Sequence, residues 1–443
     1  MNELDSSRLR DLRIDIGRLS GRLEALAQIG DTGDGGNCRL ALTDEDRHGR
    51  DLVVGWMRDL GLEVTVDTVG NVVAVYPGPT DGPPVMPGSH IDTVRTGGRY
   101  DGNLGVLAGL EVIETLSAAE VRLPRPVAVG FFTDEEGSRF PPDMLGSLVF
   151  VGGMSIEAAL DVTDSDGVSV GAELDRIGYR GAAPCPAPAP FAFVELHIEQ
   201  GPVLEQEGVT IGAVTGVQGI SWQEVTIDGQ SNHAGTTPMS MRRDAGFAAA
   251  RAAVAAREIA KDIGGFQVAT VGVLDLHPDL VNVVAGRARL CLDMRNIHEQ
   301  ELQQAERLMA TSLERIATAE GVGISVRSMA RFEPVIFDLP VVDLIEDVAR
   351  RLGHSTKRLP SGAGHDAQML ARVCPSGMIF VPSHRGLSHN PAEYTAPEDL
   401  AAGADVLLQT MIALACWEGD IPQVSPTGGA FNRSERGVGA PIA

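Results

Sequence analysis

Apolar residues recur along this chain with two different periods, and the switches between them outline its elements. Leu9, Leu12, Ile16, Leu19, Leu23 and Leu26 fall at steps of three and four, which predicts one amphipathic helix over 6–28. The run LEVTVDTVGNVVAVYPG (62–78) alternates instead, as a strand–turn–strand hairpin bending near Gly70-Asn71 does. PPVMPGSH (83–90) and RPVAVGFFTDEEG (125–137) read as buried strands that each end in polar residues, with a helix over 104–118 between them. Strand–helix–strand order implies an α/β layer, in which ligands sit beyond the carboxyl ends of the strands.

A Pro/Ala loop at 182–190 leads into the strand FAFVELHIEQG, and from about 214 the pattern changes. Strand-like ISWQEVTIDG is followed by an Ala-rich helix over 242–261, strand-like QVATVGVLDL and RARLCLDMR, and a helix over 299–319. That β-α-β-β-α-β order is ferredoxin-like. It predicts an inserted α+β domain at 214–330, set within an α/β domain made of 1–213 and 331–420. A helix near 341–352, the glycine loop SGAGHDAQML, the buried strand GMIFVP and a helix near 398–417 complete the larger domain. The 421–443 tail is expected to be disordered.

Length agrees with two domains, since 443 residues exceed what one simple core organises. The net charge of −24 argues against nucleic acid and anionic membrane partners, which need a basic surface. No signal-peptide core or membrane span is apparent, so a cytoplasmic location is expected. The five cysteines form no CxxC pair, which disfavours a disulfide scaffold or a thiolate zinc site.

The polar residues at the strand ends carry the candidate chemistry. His90, His197, His233 and His389 all sit where glycine and polar residues cluster. Imidazole with carboxylate suits zinc, manganese, cobalt or nickel. In His90-x-Asp92 both side chains point one way on an extended chain, so Asp92 is placed to accept the far ring N–H of His90. Asp101 precedes a helix and has two oxygens with which to bridge two metals, although a helix N-terminus alone also favours an acid. Asp134, Glu135 and Glu136 end a strand; a charge run there also suits a solvated turn. If Glu136 binds metal, Glu135 is left as a free carboxylate to move a proton. Gly362 and Gly364 permit close backbone approach to a ligand. Arg295 is placed either for a substrate carboxylate or for an ion pair with Asp293. Asn282 is either a substrate contact or a turn amide.

Five blocks in order, GSHIDTV…GGRYDGNLGVLAGLEV, TDEEGSRF, ELHIEQGPVLE, NHAGTTPM…RRDA and SGAGHDAQML…FVPS…GLSHNPAEYT, resemble the hydantoinase/carbamoylase family of amidases. That family lies within the two-metal M20-type aminoacylases and peptidases, and the likeness spans about residues 20–415. The resemblance implies a two-domain fold with a catalytic α/β/α domain and an inserted ferredoxin-like dimerisation (lid) domain. It implies two divalent metal ions per subunit, with His90 and His197 on one, Glu136 and His389 on the other, and Asp101 bridging. Glu135 becomes the general base and Asp92 the partner of His90. Gln200 and Gly364 touch substrate, His233 polarises the scissile carbonyl, and Asn282 with Arg295 grips a carboxylate. Family members are homodimers in which the inserted domain reaches the partner's site. The implied reaction is hydrolysis of an N-carbamoyl-L-amino acid to the amino acid, carbon dioxide and ammonia. Allantoate, β-ureidopropionate and, more remotely, an N-acyl amino acid or dipeptide are alternative small-molecule substrates. A metal-free binding protein is the contrasting class.

Overall fold

A computed structural model describes residues 8–421, and the tail expected beyond residue 421 lies outside them. In chain order the first elements are α1 (Ile16–Ala27), α2 (Asp44–Asp59), β1 (Glu63–Val66), β2 (Val72–Tyr76), β3 (Val85–His90), α3 (Asn103–Ala118), β4 (Val127–Phe132), β5 (Ala192–Ile198) and β6 (Ile211–Val217). There follow β7 (Gly219–Asp228), β8 (Asn232–His233), α4 (Ala245–Ile263), β9 (Val268–His277), β10 (Val283–Val284), β11 (Arg287–Asn296), α5 (Glu299–Glu320), β12 (Gly323–Phe332) and β13 (Val335–Ile336). The chain ends with α6 (Leu339–Arg351), β14 (Thr356–Ser361), α7 (Asp366–Leu370), β15 (Ser376–Val381) and α8 (Pro397–Ala415). Several one- and two-turn helices lie between them.

The chain divides into two compact units, one from its parts up to Thr215 and from Phe337 onward, the other from Gly216–Ile336. The second unit therefore runs six residues past the expected end at 330, because β12 continues to Phe332 and β13 pairs with Gly216 and Val217.

In the first unit the sheet order is β1-β2-β4-β3-β5-β15-β6. Its middle strands β4, β3, β5 and β15 are mutually parallel. Every residue of these four strands is buried. Because successive side chains point to opposite faces, both faces of the sheet centre are covered. Helices α3 and α8 contribute to that cover, α3 packing on β3, β4 and β5. Parallel alignment brings the carboxyl ends of four strands to one edge, and the polar residues that follow them meet there.

The expected helix over 6–28 is interrupted. Residues 8–11 are helical, 12–15 are not, and α1 starts afresh at Ile16 with Asp15 as its cap, accepting the N–H groups of Gly17 and Arg18. Apolar spacing continues through the break. The backbone there is captured from other elements: Ile14 N–H donates to Asp405 Oδ1 and Asp15 N–H to Glu111 Oε1. Glu111, wholly buried in the apolar helix α3, is in turn met by Arg18. Tertiary hydrogen bonds decide where this helix begins, and they are invisible to periodicity.

The second unit is a four-stranded antiparallel sheet ordered β12-β7-β11-β9. Its two helices pack on it over a core that includes Val225, Leu290, Ala252 and Met309. The β-α-β-β-α-β succession is the one the alternating periods predict.

Candidate metal centre

His90 closes β3, His197 lies at the end of β5, Glu135 and Glu136 follow β4, and His389 follows β15. Asp101 is carried by the loop that leads into α3. Gly102 caps that helix at φ +66°, and a Cβ there would lie 2.4 Å from the His90 ring. Glycine is required at this position twice over, by the left-handed backbone and by the imidazole against it.

The carboxylate of Asp101 stands at the centre with its oxygens divided. Oδ1 is 3.6 Å from His90 Nε2 and 3.1 Å from His197 Nε2. Oδ2 is 3.5 Å from His389 Nε2, which is also 3.2 Å from Glu136 Oε2. Two triads with convergent donor atoms result, His90/Asp101/His197 and Asp101/Glu136/His389. The first is sunk, its imidazoles 1% exposed; in the second the His389 side chain is 47% exposed.

The imidazoles hold the tautomer a cation needs. His90 Nδ1 is 2.9 Å from the Asp92 carbonyl and His197 Nδ1 is 2.8 Å from the Ile198 carbonyl. A carbonyl only accepts, so each Nδ1 carries a proton and each Nε2 is turned towards Asp101, where a cation would take the place of any proton on it. Charge tells the same story. Asp92, Asp101, Glu135, Glu195 and Asp366 are all buried in this region. Burial pushes Glu135 well above the usual carboxyl range, with Asp366, Glu136 and Glu195 adding to the shift and His90 opposing it. Burial also lifts Asp92, to about 6. For Asp101 burial acts upward, but His197 and His90 outweigh it and hold the group well below the usual range. Crowded carboxylates around oriented imidazoles form a donor set that divalent cations fit.

A third grouping, Glu195/His197/His365, is already committed to hydrogen bonds. Glu195 accepts from Ser89 Oγ (2.6 Å) and from Ala367 N–H (2.8 Å), and His365 Nε2 is 2.8 Å from Ser361 Oγ. His365 stacks edge-on against His197 at 4.6 Å between ring centres, and burial together with His197 keeps it from taking a proton.

One expected contact differs. The far ring N–H of His90 goes to the Asp92 backbone carbonyl, while the Asp92 carboxylate is 3.9 Å from that nitrogen. Its oxygens accept the N–H groups of Glu135 and Glu136 instead, each at 3.3 Å, so Asp92 shapes the turn that presents both acids. Gln200 donates from Nε2 to Asp101 Oδ2 (2.8 Å), which leaves its Oε1 buried and without a partner among the described residues. Its backbone is left-handed (φ +58°), as is that of His389 (φ +53°). Glu135 Oε2 is 3.5 Å from His90 Nε2, beside the inner triad. The backbone at Gly364 passes close to Met144, whose Cε would lie 3.0 Å from an added Cβ.

In the second unit, His233 Nδ1 accepts the N–H groups of Gly235 and Thr236, so its Nε2 carries the proton and is a donor. Pairing of Val283 with His233 sets Asn282 beside it in an exposed turn. Arg295 forms a two-pronged pair with Asp293 at 2.9–3.2 Å, the ion-pair alternative weighed from its sequence context. Arg287 at the start of β11 adjoins the His277 end of β9, whereas Arg295 lies about 27 Å along the strand at ~3.4 Å per residue. Asn282 and Arg295 therefore occupy opposite ends of this unit and do not grip one carboxylate within one copy.

Sequence reasoning missed Ser388, Glu393 and Arg39. Ser388 Oγ donates to Asp101 Oδ2 (2.7 Å), and Glu393 accepts the Asp101 N–H (3.2 Å). Arg39, fully buried, donates to the Ile91 carbonyl and to Asn103 on either side of the site. Only the paired glycines Gly97 and Gly98, which admit close neighbours, hint at such contacts.

Residues 86–413 match the model of peptidase family M20/M25/M40. An N-carbamoyl-L-amino-acid amidohydrolase of Rhizobium meliloti is 41% identical over 404 residues, 91% of this chain and 97% of that protein. A ureidoglycolate hydrolase of Oryza sativa subsp. japonica is 35% identical over 412 residues, covering 91% and 85%. The crystal structure of a hydantoinase/carbamoylase family amidase from Burkholderia multivorans superposes with a TM-score of 0.89 at 45% identity, covering 92% of this chain and 99% of that one.

Proposed function

The chain belongs to peptidase family M20/M25/M40 and is a hydrolase of amide or ureido C–N bonds, and on that premise we propose that it hydrolyses an N-carbamoyl-L-amino acid with two divalent cations per subunit. The observation that carries this reading is the division of Asp101 between two imidazole-bearing triads, with Glu135 alongside. His90 and His197 would hold the inner cation and Glu136 and His389 the outer, with Asp101 shared between them. When bound, such a pair supplies Lewis acidity toward the scissile carbonyl and toward water.

The chain's own groups do the rest. Glu135 takes a proton from the attacking water. Attack at the ureido carbon gives a tetrahedral centre, and His233 donates from Nε2 to its oxyanion. Glu135 then hands the proton to the departing nitrogen as the C–N bond breaks. Loss of carbon dioxide from the carbamate that remains completes the products, an amino acid, carbon dioxide and ammonia. The buried Oε1 of Gln200 accepts a ureido N–H, the backbone at Gly364 approaches the substrate, and Arg295 meets its carboxylate in place of Asp293.

His233 and Asn282 on one side and Arg295 on the other serve one substrate only if two copies contribute, which supports a homodimer. Val281 and Leu280 beside Asn282, fully and 58% exposed, give that end an apolar surface suited to a second copy.

Ureidoglycolate is the second reading, favoured by the rice relative. Like an N-carbamoyl-α-amino acid, it carries a ureido group and a carboxylate on one carbon. Incubating the metal-loaded protein with N-carbamoyl-L-amino acids, ureidoglycolate, allantoate and β-ureidopropionate, and measuring ammonia, separates them. Activity on the first group supports the proposal; release from none of the four overturns it.

A further inference from the structure

Glu393 is a buried carboxylate, 5% exposed, that makes no ion pair among the described residues. Such burial costs free energy unless hydrogen bonds answer it. Here they do, and they lead to the bridging ligand. Oε1 accepts the backbone N–H of Tyr100 (2.9 Å) and of Asp101 (3.2 Å). Oε2 faces Ser388 Oγ at 3.2 Å, and Ser388 Oγ is 2.7 Å from Asp101 Oδ2. Ser388 has a single proton, and the shorter contact gives it to Asp101 Oδ2; Glu393 therefore holds Asp101 from behind, through its peptide, while the hydroxyl holds it from the side.

The surroundings are shaped for this contact. A Cβ on Gly98 would lie 2.2 Å from Glu393 Cδ and Oε1, so the chain before Asp101 runs directly over the carboxyl group. The turn that carries Glu393 is closed by its own N–H to the Asn390 carbonyl (3.0 Å) and by Ala392 N–H to Asn390 Oδ1 (2.8 Å). The same turn carries His389, whose carbonyl accepts from Thr96 Oγ1 at 3.3 Å.

We propose that Glu393, through the Tyr100–Asp101 backbone, and Ser388, through its hydroxyl, are positioning residues that together fix the tilt of the Asp101 carboxylate between the two triads. This rests on the two-cation reading above. A carboxylate bridges only if each oxygen points at its own cation. Rotation about Cβ–Cγ is resisted at Oδ2 by two donors, Gln200 Nε2 and Ser388 Oγ. Removing the hydroxyl leaves one, and removing the acid frees the Tyr100 and Asp101 N–H groups that hold the loop behind the carboxylate.

The test uses the full chain stripped of metal and titrated with Co²⁺, following bound equivalents and the visible absorption of the bound ion. Ser388→Ala and Glu393→Ala are each expected to weaken one of two equivalents by about 10–100-fold and to change the absorption envelope. At saturating metal kcat should fall while KM stays within about twofold, the pattern of a lost transition-state interaction. If Glu393→Ala fails to fold, Ser388→Ala decides alone. Variants that bind both equivalents as tightly as the parent, with only a lower melting temperature, overturn the proposal. A parent chain that binds no second equivalent refutes the two-cation reading itself.

Discussion

Glu135 and Glu136 are neighbours in sequence with different surroundings, and that difference divides their work. Glu136 Oε2 lies against His389, while Glu135 Oε2 lies against His90 and makes no other side-chain pairing among the described residues. Glu135→Gln is expected to keep both metals and lose turnover by about 10²–10⁴-fold; full activity in that variant removes Glu135 as base. His389 supplies a pH prediction. Its hydrogen bond to Glu136 raises it to about 9, against burial. That is above the ordinary value of about 6.5, so in the metal-free protein the pair stabilises fully below about 6.5 and fades as pH climbs through 9. A cation must displace this proton. Loading near pH 7 should therefore release a proton, and affinity at the outer triad should rise with pH until about 9. Calorimetry in buffers of different ionisation enthalpy measures the release, and buffer-independent heats contradict it.

The strand–helix elements were the most legible part of the sequence, and the reasons for their exact limits were the least. Strands β3, β4, β5 and β15 announce themselves as apolar runs ending in polar residues, and that shared ending points to one edge of a sheet. His90 and Asp101 could be singled out because both lie in a glycine-rich stretch, His90 at the end of an apolar run and Asp101 just before a helix. Ser388 and Glu393 could not, since their meaning depends on a loop nearly three hundred residues earlier in the chain. The break before α1 escaped for the same reason. Gly102 allows the point to be tested at the start of α3. Gly102→Ala places a Cβ 2.4 Å from the His90 ring on a left-handed backbone. It should destabilise the protein by about 1–3 kcal/mol and weaken metal binding at His90 and His197. Chemical denaturation and metal titration read both, and parental stability would show that the loop yields more easily than its packing implies.

As a whole the molecule is two units with separate cores, and only the first holds the triads. Among the described residues no helix is long and apolar enough to cross a membrane. The proposed ligands come from the ends of β3, β4 and β5, the loop before α3 and the segment after β15, so a cation held by them would tie together elements far apart in the chain. Saturation at about 100 times the dissociation constant adds about 2.7 kcal/mol to the unit that binds. Scanning calorimetry should show a metal-dependent transition for the first unit and a metal-independent one for Gly216–Ile336. Equal shifts of both would mean that the units unfold together.

The unequal depth of the two triads also governs traffic. An ion held by His90 and His197 would sit behind buried side chains, whereas one held by half-exposed His389 would lie nearer solvent. The two positions should therefore exchange on different clocks. A preparation grown in mixed metals should become a heterobimetallic enzyme, whose inner occupant records the conditions of folding and whose outer occupant records the last buffer it met.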